Sequence, residues 1–458
     1  MITASSGARA MPTFTPVYLG GAAALATAAV AGSPRVDRDD VFVPGIEALA
    51  EGEIRVTILG SGQPWLTKAA ATGSVLVEIG NAQREVMVFD LGSGSLANFS
   101  GLQVPATALK KVFSTHLHTD HISDYLTLTG SCVKAGRLDP VEVWGGSSNK
   151  PSRGIAAFVE HIQAALAWDF VGIAGNILAS GAGATATEVP YGRTEVICDR
   201  NGVTITSFPV IHVLNGAIGF RVDFAGQSAV SSGETTPTMP FVEVAQGCDL
   251  LIHETVLPPK AFAEVMGLPI ELAQCIVNDG HTPAAAGIVF DMVRPAMAAM
   301  WHCHVTEGDI DPVFAAVAGT YSRVVALCQD LTVFNVTPGA VGVHQATVDP
   351  MQQAILGPSD TGRKIGPRVP TPEWWKASAI DWQSKISCAE RALAAYAPHA
   401  AGSRHGERRP HTRRARETRP PPRVRHDRVE RRRDGHRNRP RNRRPVPCAC
   451  RVRTRHHG

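Results

Sequence analysis

The chain carries no C-x-x-C pair. Its nine cysteines among 458 residues are odd in number and irregularly spaced, so neither a zinc ribbon nor a disulfide scaffold is indicated. Apart from an N-terminal segment, no run reaches the roughly 18 apolar residues of a membrane span, so the body is expected to be soluble without one. Positive charge is also scarce where phosphate binding would need it. The overall excess of +4 hides 21 arginines against five acids, and no lysine, between Ala401 and Gly458. The first 400 residues hold 24 cations against 36 acids, a net −12, which excludes a strongly basic nucleic-acid-binding body.

Beyond Pro398 the chain contains no Ile, Leu, Met, Phe, Tyr, Trp, Lys or Gln, and cannot build a hydrophobic core. Residues 398–458 are expected to be a disordered Arg-rich tail. Arginine at this density would suit an arm for nucleic acid or another anionic surface. The lack of lysine and the predominance of residues with GC-rich codons favour a frame-shifted reading instead. At the other end, Pro16 to Gly32 (PVYLGGAAALATAAVAG) is an uncharged run of small and apolar residues after Arg9. Residues 1–50 therefore read as a leader, either a secretory signal or an Ala-rich disordered stretch. A signal implies a periplasmic or secreted protein, its absence a cytoplasmic one.

Between these ends, residues 51–347 are expected to form the catalytic domain, and 348–397 a Pro- and Trp-containing extension whose Trp374, Trp375 and Trp382 pack it back on the body. The runs IRVTIL (Ile54 to Leu59), SVLVEI (Ser74 to Ile79), EVMVFDLG (Glu85 to Gly92) and KVFST (Lys111 to Thr115) predict consecutive strands bounded by turn residues. Ile155, Phe158, Ile162 and Leu166 share the face of a helix within Pro151 to Asp169. Strands resume at Val203 to Pro209, Ala217 to Phe224, Ser228 to Ser232, Asp249 to His253 and Ala298 to His302. Helices are predicted over Pro240 to Ala245 and Pro283 to Val293, the second opened by Thr282 as N-cap. Strand runs followed by helices, twice over, predict an α/β (α+β) fold of two sheets flanked by helices.

The strand at Lys111 to Thr115 runs into His116-Leu117-His118-Thr119-Asp120-His121, four potential metal ligands within six residues. Packing does not account for them, because buried imidazoles and carboxylates need partners to offset desolvation. His116 and His118 would reach one metal, Asp120 and His121 a second, and the donor set suits zinc. Two Zn²⁺ ions are expected, with Mn²⁺ or Fe as alternatives.

This H-x-H-x-D-H run resembles the signature of the metallo-β-lactamase superfamily, and the chain is similar to its ribonuclease Z branch through Leu59-Gly60-Ser61-Gly62 and Phe89-Asp90-Leu91-Gly92. The resemblance extends from about Glu53 to Ala346 and implies an αββα sandwich with a dinuclear site at one edge. It also implies His212 as the third ligand of the first metal. Glu234 stands where the family has the bridging aspartate, one methylene longer. His302 is implied as the last ligand, with His304 as the alternative, and Cys303 between them is read as a small buried hydrophobe. His281 would serve the leaving group, oriented by Glu254, while Asp120 holds the nucleophile. On residue type alone, His212 could equally be a satisfied core histidine, and His253 and Glu254 strand-end polar groups.

Three functions are weighed. A hydrolase of a small ester, lactone or phosphodiester is expected first, with a weaker resemblance to bacterial hydrolases named for guanitoxin biosynthesis. The second is tRNA 3′ processing, disfavoured because only 22 positions separate His212 from Glu234, too few for the long arm with which bacterial ribonuclease Z enzymes grip tRNA. The third is a degenerate fold that binds metal without turnover, suggested by Glu234. The expected partner is thus a small substrate rather than tRNA, with self-association into a homo-oligomer left open.

Overall fold

The computed structural model describes residues 18–20, 41–65, 67–137, 139–173, 179–303, 305–354 and 370–379. Most of the expected leader, His304, Trp382 and the Arg-rich tail lie outside them. Two mixed sheets face each other. One has nine strands in the order Val41–Phe42, Ala340–Ala346, Thr332–Thr337, Ile54–Gly60, Ser74–Ile79, Val86–Phe89, Leu109–Ser114, Val141–Gly146 and Ala184–Val189. The other has eight, ordered Tyr18–Gly20, Val325–Leu327, Met297–Trp301, Leu250–Glu254, Gln227–Ser231, Ile218–Phe224, Val203–Pro209 and Glu195–Arg200. Two short pieces of the expected leader thus pair in the sheets, Tyr18–Gly20 with Val325–Leu327 and Val41–Phe42 with Ala340–Ala346.

The sequence runs explain the layers. Ile54–Gly60 is buried at every position, as a central strand covered on both faces must be. Inward side chains of both sheets, among them Ile58, Phe89, Phe113, Ile205, Phe220, Ile252 and Phe334, form the core between them. Helices cover the outer faces. Tyr125–Lys134 and Ile155–Ala165 seal the nine-stranded sheet around Leu76, Val88 and Val112. Met239–Ala245, Pro259–Met266, Pro283–Val293 and Ile310–Ala318 seal the other around Val230, Leu251 and Met300. Helix Pro283–Val293 starts as the sequence predicts, with Pro283 in its first turn and the Thr282 side chain accepting from the Ala285 amide. The result is the αββα sandwich. Among the described residues no helix is long and apolar enough to cross a membrane.

The strands that carry the site point the same way. Leu109–Ser114 runs parallel to its neighbours Val86–Phe89 and Val141–Gly146, and Gln227–Ser231, Leu250–Glu254 and Met297–Trp301 are mutually parallel. Their carboxyl ends open at one edge, where chain turns rather than ladder bonds leave side chains free for chemistry. Trp301 ties the sheets together there: fully buried, it donates from Nε1 to the Gly60 carbonyl at 2.8 Å. Trp301→Phe would leave that carbonyl unsatisfied and should lower unfolding free energy by about 1–3 kcal/mol in urea titration. An unchanged midpoint would show that the bond contributes nothing net.

One expectation needs correcting. The strand expected over Ala298 to His302 stops at Trp301, and His302 turns into the left-handed region at φ 59°. Cys303 is buried in the core beneath the second sheet. In the extension, Trp374 and Trp375 lie on the short helix Glu373–Ser378, 72% and 58% exposed.

Candidate metal centre

The loop after Leu109–Ser114 presents His116 and His118 and then turns into the short helix Thr119–Ile122, which carries Asp120 and His121. His212 follows the strand Val203–Pro209, Glu234 follows Gln227–Ser231, and His302 follows Met297–Trp301. These seven side chains, from four separate segments, meet in two groups. The ligand atoms of His116, His118, His212 and Glu234 lie within 4.8 Å of one another, as do those of Asp120, His121, Glu234 and His302. Glu234 belongs to both.

Within the first group His118 Nδ1 is 3.0 Å from His116 Nε2 and 3.1 Å from His212 Nε2. Glu234 Oε2 is 3.3 Å from His212 Nε2. In the second, Glu234 Oε1 is 2.6 Å from His121 Nε2 and 3.3 Å from His302 Nε2, and Asp120 Oδ2 is 3.1 Å from His302 Nε2. Nitrogens held about 2.0–2.1 Å from one tetrahedral cation would stand a little over 3 Å apart, so the spacing fits. The longer arm of glutamate does not pull the carboxylate back: its two oxygens reach both groups.

Electrostatics favour positive charge here. Among the described residues neither Asp120 nor Glu234 pairs with a lysine or arginine. Burial pulls the His116 imidazole well below its ordinary pKa, helped by His121, and burial takes His212 down to about 4. Both are therefore neutral near pH 7, the form that donates a lone pair. For His121 burial acts downward but is outweighed by Asp90, Asp120 and Glu234, which push it well above its usual value. Burial likewise opposes, and the charges of His302 and His121 overcome, in Glu234, which is held well below the carboxylate range. Asp120 is lowered in the same way by hydrogen bonds from His121 and His302, against burial.

The sequence pointed to Asp90 only as part of a strand end, and its role emerges from the structure. Buried and left-handed at φ 60°, it accepts from the Thr115 amide at 2.7 Å, the Thr115 hydroxyl at 2.7 Å and His121 Nδ1 at 2.8 Å. With its own hydrogen committed to Asp90, Thr115 Oγ1 accepts from His116 Nδ1 at 3.0 Å. One carboxylate thus fixes a proton on Nδ1 of two histidines and turns both Nε2 atoms toward the centre. The turn it sits in has no room to vary, since a Cβ on Gly92 would lie 2.2 Å from the Asp120 carbonyl oxygen. Asp90→Asn presents a donor where an acceptor is needed. Chelator-competition titration should show metal affinity roughly 10–100-fold weaker, and unchanged affinity would remove this role.

Beside the groups, His281 Nδ1 donates to Glu254 Oε1, which also accepts from the Thr235 amide at 2.6 Å. Burial lowers the His281 pKa, but the Glu254 hydrogen bond and charge raise it overall. Glu254 itself, fully buried, is pushed up by desolvation. His253 points away into the second core and meets Ser232 Oγ at 2.8 Å.

No family model matches the chain. It is 33% identical over 210 residues to the ribonuclease Z of Mycobacterium marinum, covering 44% of this chain and 71% of that one. The chain belongs to the ribonuclease Z family of the metallo-β-lactamase superfamily. A second ribonuclease Z, from Mycobacterium sp. strain KMS, is 29% identical over 308 residues, covering 62% of this chain and 97% of its own. Among solved structures, the metallo-β-lactamase fold protein YhfI from Bacillus subtilis aligns with a TM-score of 0.46 and 17% identity, covering 62% of this chain and 100% of that one. As a member of this family the protein is a hydrolase that depends on divalent metal, and the clustered imidazoles and carboxylates supply a donor set for it.

Proposed function

We propose that the protein is a phosphodiesterase of the ribonuclease Z type, cleaving a 3′ extension from an RNA such as a tRNA precursor. The observation that carries this reading is the convergence of two donor groups on Glu234, with the His281–Glu254 pair beside them, in a chain whose relatives are named ribonuclease Z. It is preferred to the small ester or lactone expected from the sequence because the relatives reported above are named ribonuclease Z.

His116, His118 and His212 would hold one divalent cation and Asp120, His121 and His302 a second, with Glu234 shared. Zinc is the first choice and Mn²⁺ or Fe the alternative. Bound there, such cations supply a water acidic enough to attack at neutral pH and an electrophile for the phosphoryl oxygen. Asp120 orients the attacking water. His281, its Nδ1–H tied to Glu254, gives a proton from Nε2 to the leaving oxygen. One P–O bond forms from water, the bond to the leaving fragment breaks, and the proton ends on that fragment.

A second reading, a small phosphodiester, draws on one observation. The interval where a gripping arm would stand is filled by the hairpin Ile218–Phe224 and Gln227–Ser231, closed by Ala225 and Gly226 alone. Incubation of the Zn²⁺- or Mn²⁺-loaded protein with a pre-tRNA bearing a 3′ trailer, and with bis(p-nitrophenyl) phosphate, separates the readings. Cleavage after the acceptor stem, abolished by EDTA, is the expected result. Turnover of the chromogenic ester alone selects the small substrate, and metal binding with no turnover selects the non-catalytic fold.

A further inference from the structure

A cleft of about 450 Å³ opens beside the metal centre, within the roughly 300–1,000 Å³ of ligand pockets. His116, His118 and His212 form its inner wall, while His281 and Glu254 do not line it. Its outer wall is made by two loops, 147–153 after the strand Val141–Gly146 and 213–217 after His212. They are pressed together: a Cβ on Gly146 would lie 1.7 Å from the Gly216 carbonyl oxygen, and Ser148 Oγ reaches the Asn215 carbonyl at 3.4 Å. The wall is therefore a joint between loops, built at the cost of allowing only glycine at position 146.

Among the described residues, Arg153, at the end of the turn Pro151–Arg153, is the one arginine or lysine lining this cleft, and no carboxylate lines it. It makes no ion pair with any described residue. Asn149 lines the same cleft with its amide, and Ser148 turns its hydroxyl to the Asn215 carbonyl. Val213 and Leu214 line the same space, 70% and 64% exposed. An unpaired guanidinium with a neutral amide in the same cleft suits a phosphate, and exposed aliphatic side chains suit the face of a base.

We infer that this cleft binds the nucleotide that keeps the scissile phosphate, with Arg153 on that nucleotide's next phosphate. The inference rests on the phosphodiesterase reading and gives it direction. His281 delivers its proton to the leaving oxygen, so the leaving fragment lies on the His281 side. The cleft, which His281 does not line, receives the fragment that retains phosphorus. The substrate class is then an oligonucleotide carrying at least one phosphate beyond the bond that is cut.

Two esters test this: thymidine 5′-(p-nitrophenyl phosphate) and the same molecule phosphorylated at its 3′ hydroxyl. In both, p-nitrophenolate leaves and the nucleoside keeps the phosphate, so they differ only in the anion assigned to Arg153. With the Mn²⁺-loaded wild type, KM should be about tenfold lower for the 3′-phosphorylated ester, the scale of one charge-assisted contact. The ratio should collapse toward one in Arg153→Ala and be partly kept in Arg153→Lys. Calorimetric titration with thymidine 3′,5′-bisphosphate against thymidine 5′-phosphate should return the same ratio without turnover. A ratio of one in the wild type, or one unaltered in Arg153→Ala, overturns the cleft assignment while leaving the phosphodiesterase reading standing. Failure to turn over either ester overturns that reading instead, and the titration then decides the cleft by itself.

Discussion

His116→Ala is expected to lower metal-dependent turnover by roughly 10³-fold or more, because it removes one donor from the first group and uncouples the tautomer relay behind it. The imidazole Nε2 stands 3.0 Å from His118 Nδ1 and 3.7 Å from Glu234 Oε1, buried and neutral. Alanine leaves His118 and His212 without their third nitrogen, and Thr115 Oγ1 without a donor. The second group, built on Asp120, His121 and His302, is untouched. Metal content by mass spectrometry should therefore fall by about half while far-UV circular dichroism stays unchanged. Full turnover in the variant would sink the assignment of these residues as ligands. Loss of turnover with both metals retained would move His116 from metal binding to another task in the reaction.

Much of this architecture was legible in the chain because buried strands and capped helices leave strong local marks. Ile54, Val56 and Ile58, and Val75, Val77 and Ile79, put a continuous apolar face on the core, and the Thr282-Pro283 start is spelled by a cap and a ring that needs no amide hydrogen. The strands Ala184–Val189 and Glu195–Arg200 gave no such mark: each lies at the edge of its sheet with exposed polar positions, so burial wrote no pattern into them. His302 was read as strand because the apolar run reaches it, but at φ 59° it leaves the strand and meets Asp120 and Glu234, contacts distant in sequence. Glu234 shows the limit most plainly. One methylene longer than the family's aspartate, it left open by residue type whether it reaches both metals, whereas in the fold, with Gly233 at φ 60°, its ligand atoms fall in both donor groups. Arg153 and the joined loops carried no motif at all, and the Asp90 relay was hidden because an acid after an apolar strand has no signature until its three donors are seen.

His281→Ala should separate substrates by how badly their leaving group needs a proton. A ribose oxygen leaves as a strongly basic alkoxide unless protonated, and loss of a positioned general acid costs roughly 10²–10⁴-fold on such a substrate. p-Nitrophenolate is stable without a proton, so turnover of a p-nitrophenyl ester should fall far less. The geometry behind this is the pair itself: Nδ1–H is held by Glu254, whose same oxygen also takes the Thr235 amide hydrogen at 2.6 Å. That anchoring makes Nε2 the only ring atom free to give a proton, and the raised His281 pKa keeps a proton available there. His281 stands in neither donor group, so the metal content of the variant should equal that of the wild type. An equal loss on pre-tRNA and on the p-nitrophenyl ester would contradict the general-acid role and make His281 a residue that binds the phosphate common to both. A loss confined to RNA, with metal retained, would assign the proton transfer to His281 and so put the leaving fragment beside His281, outside the cleft it does not line.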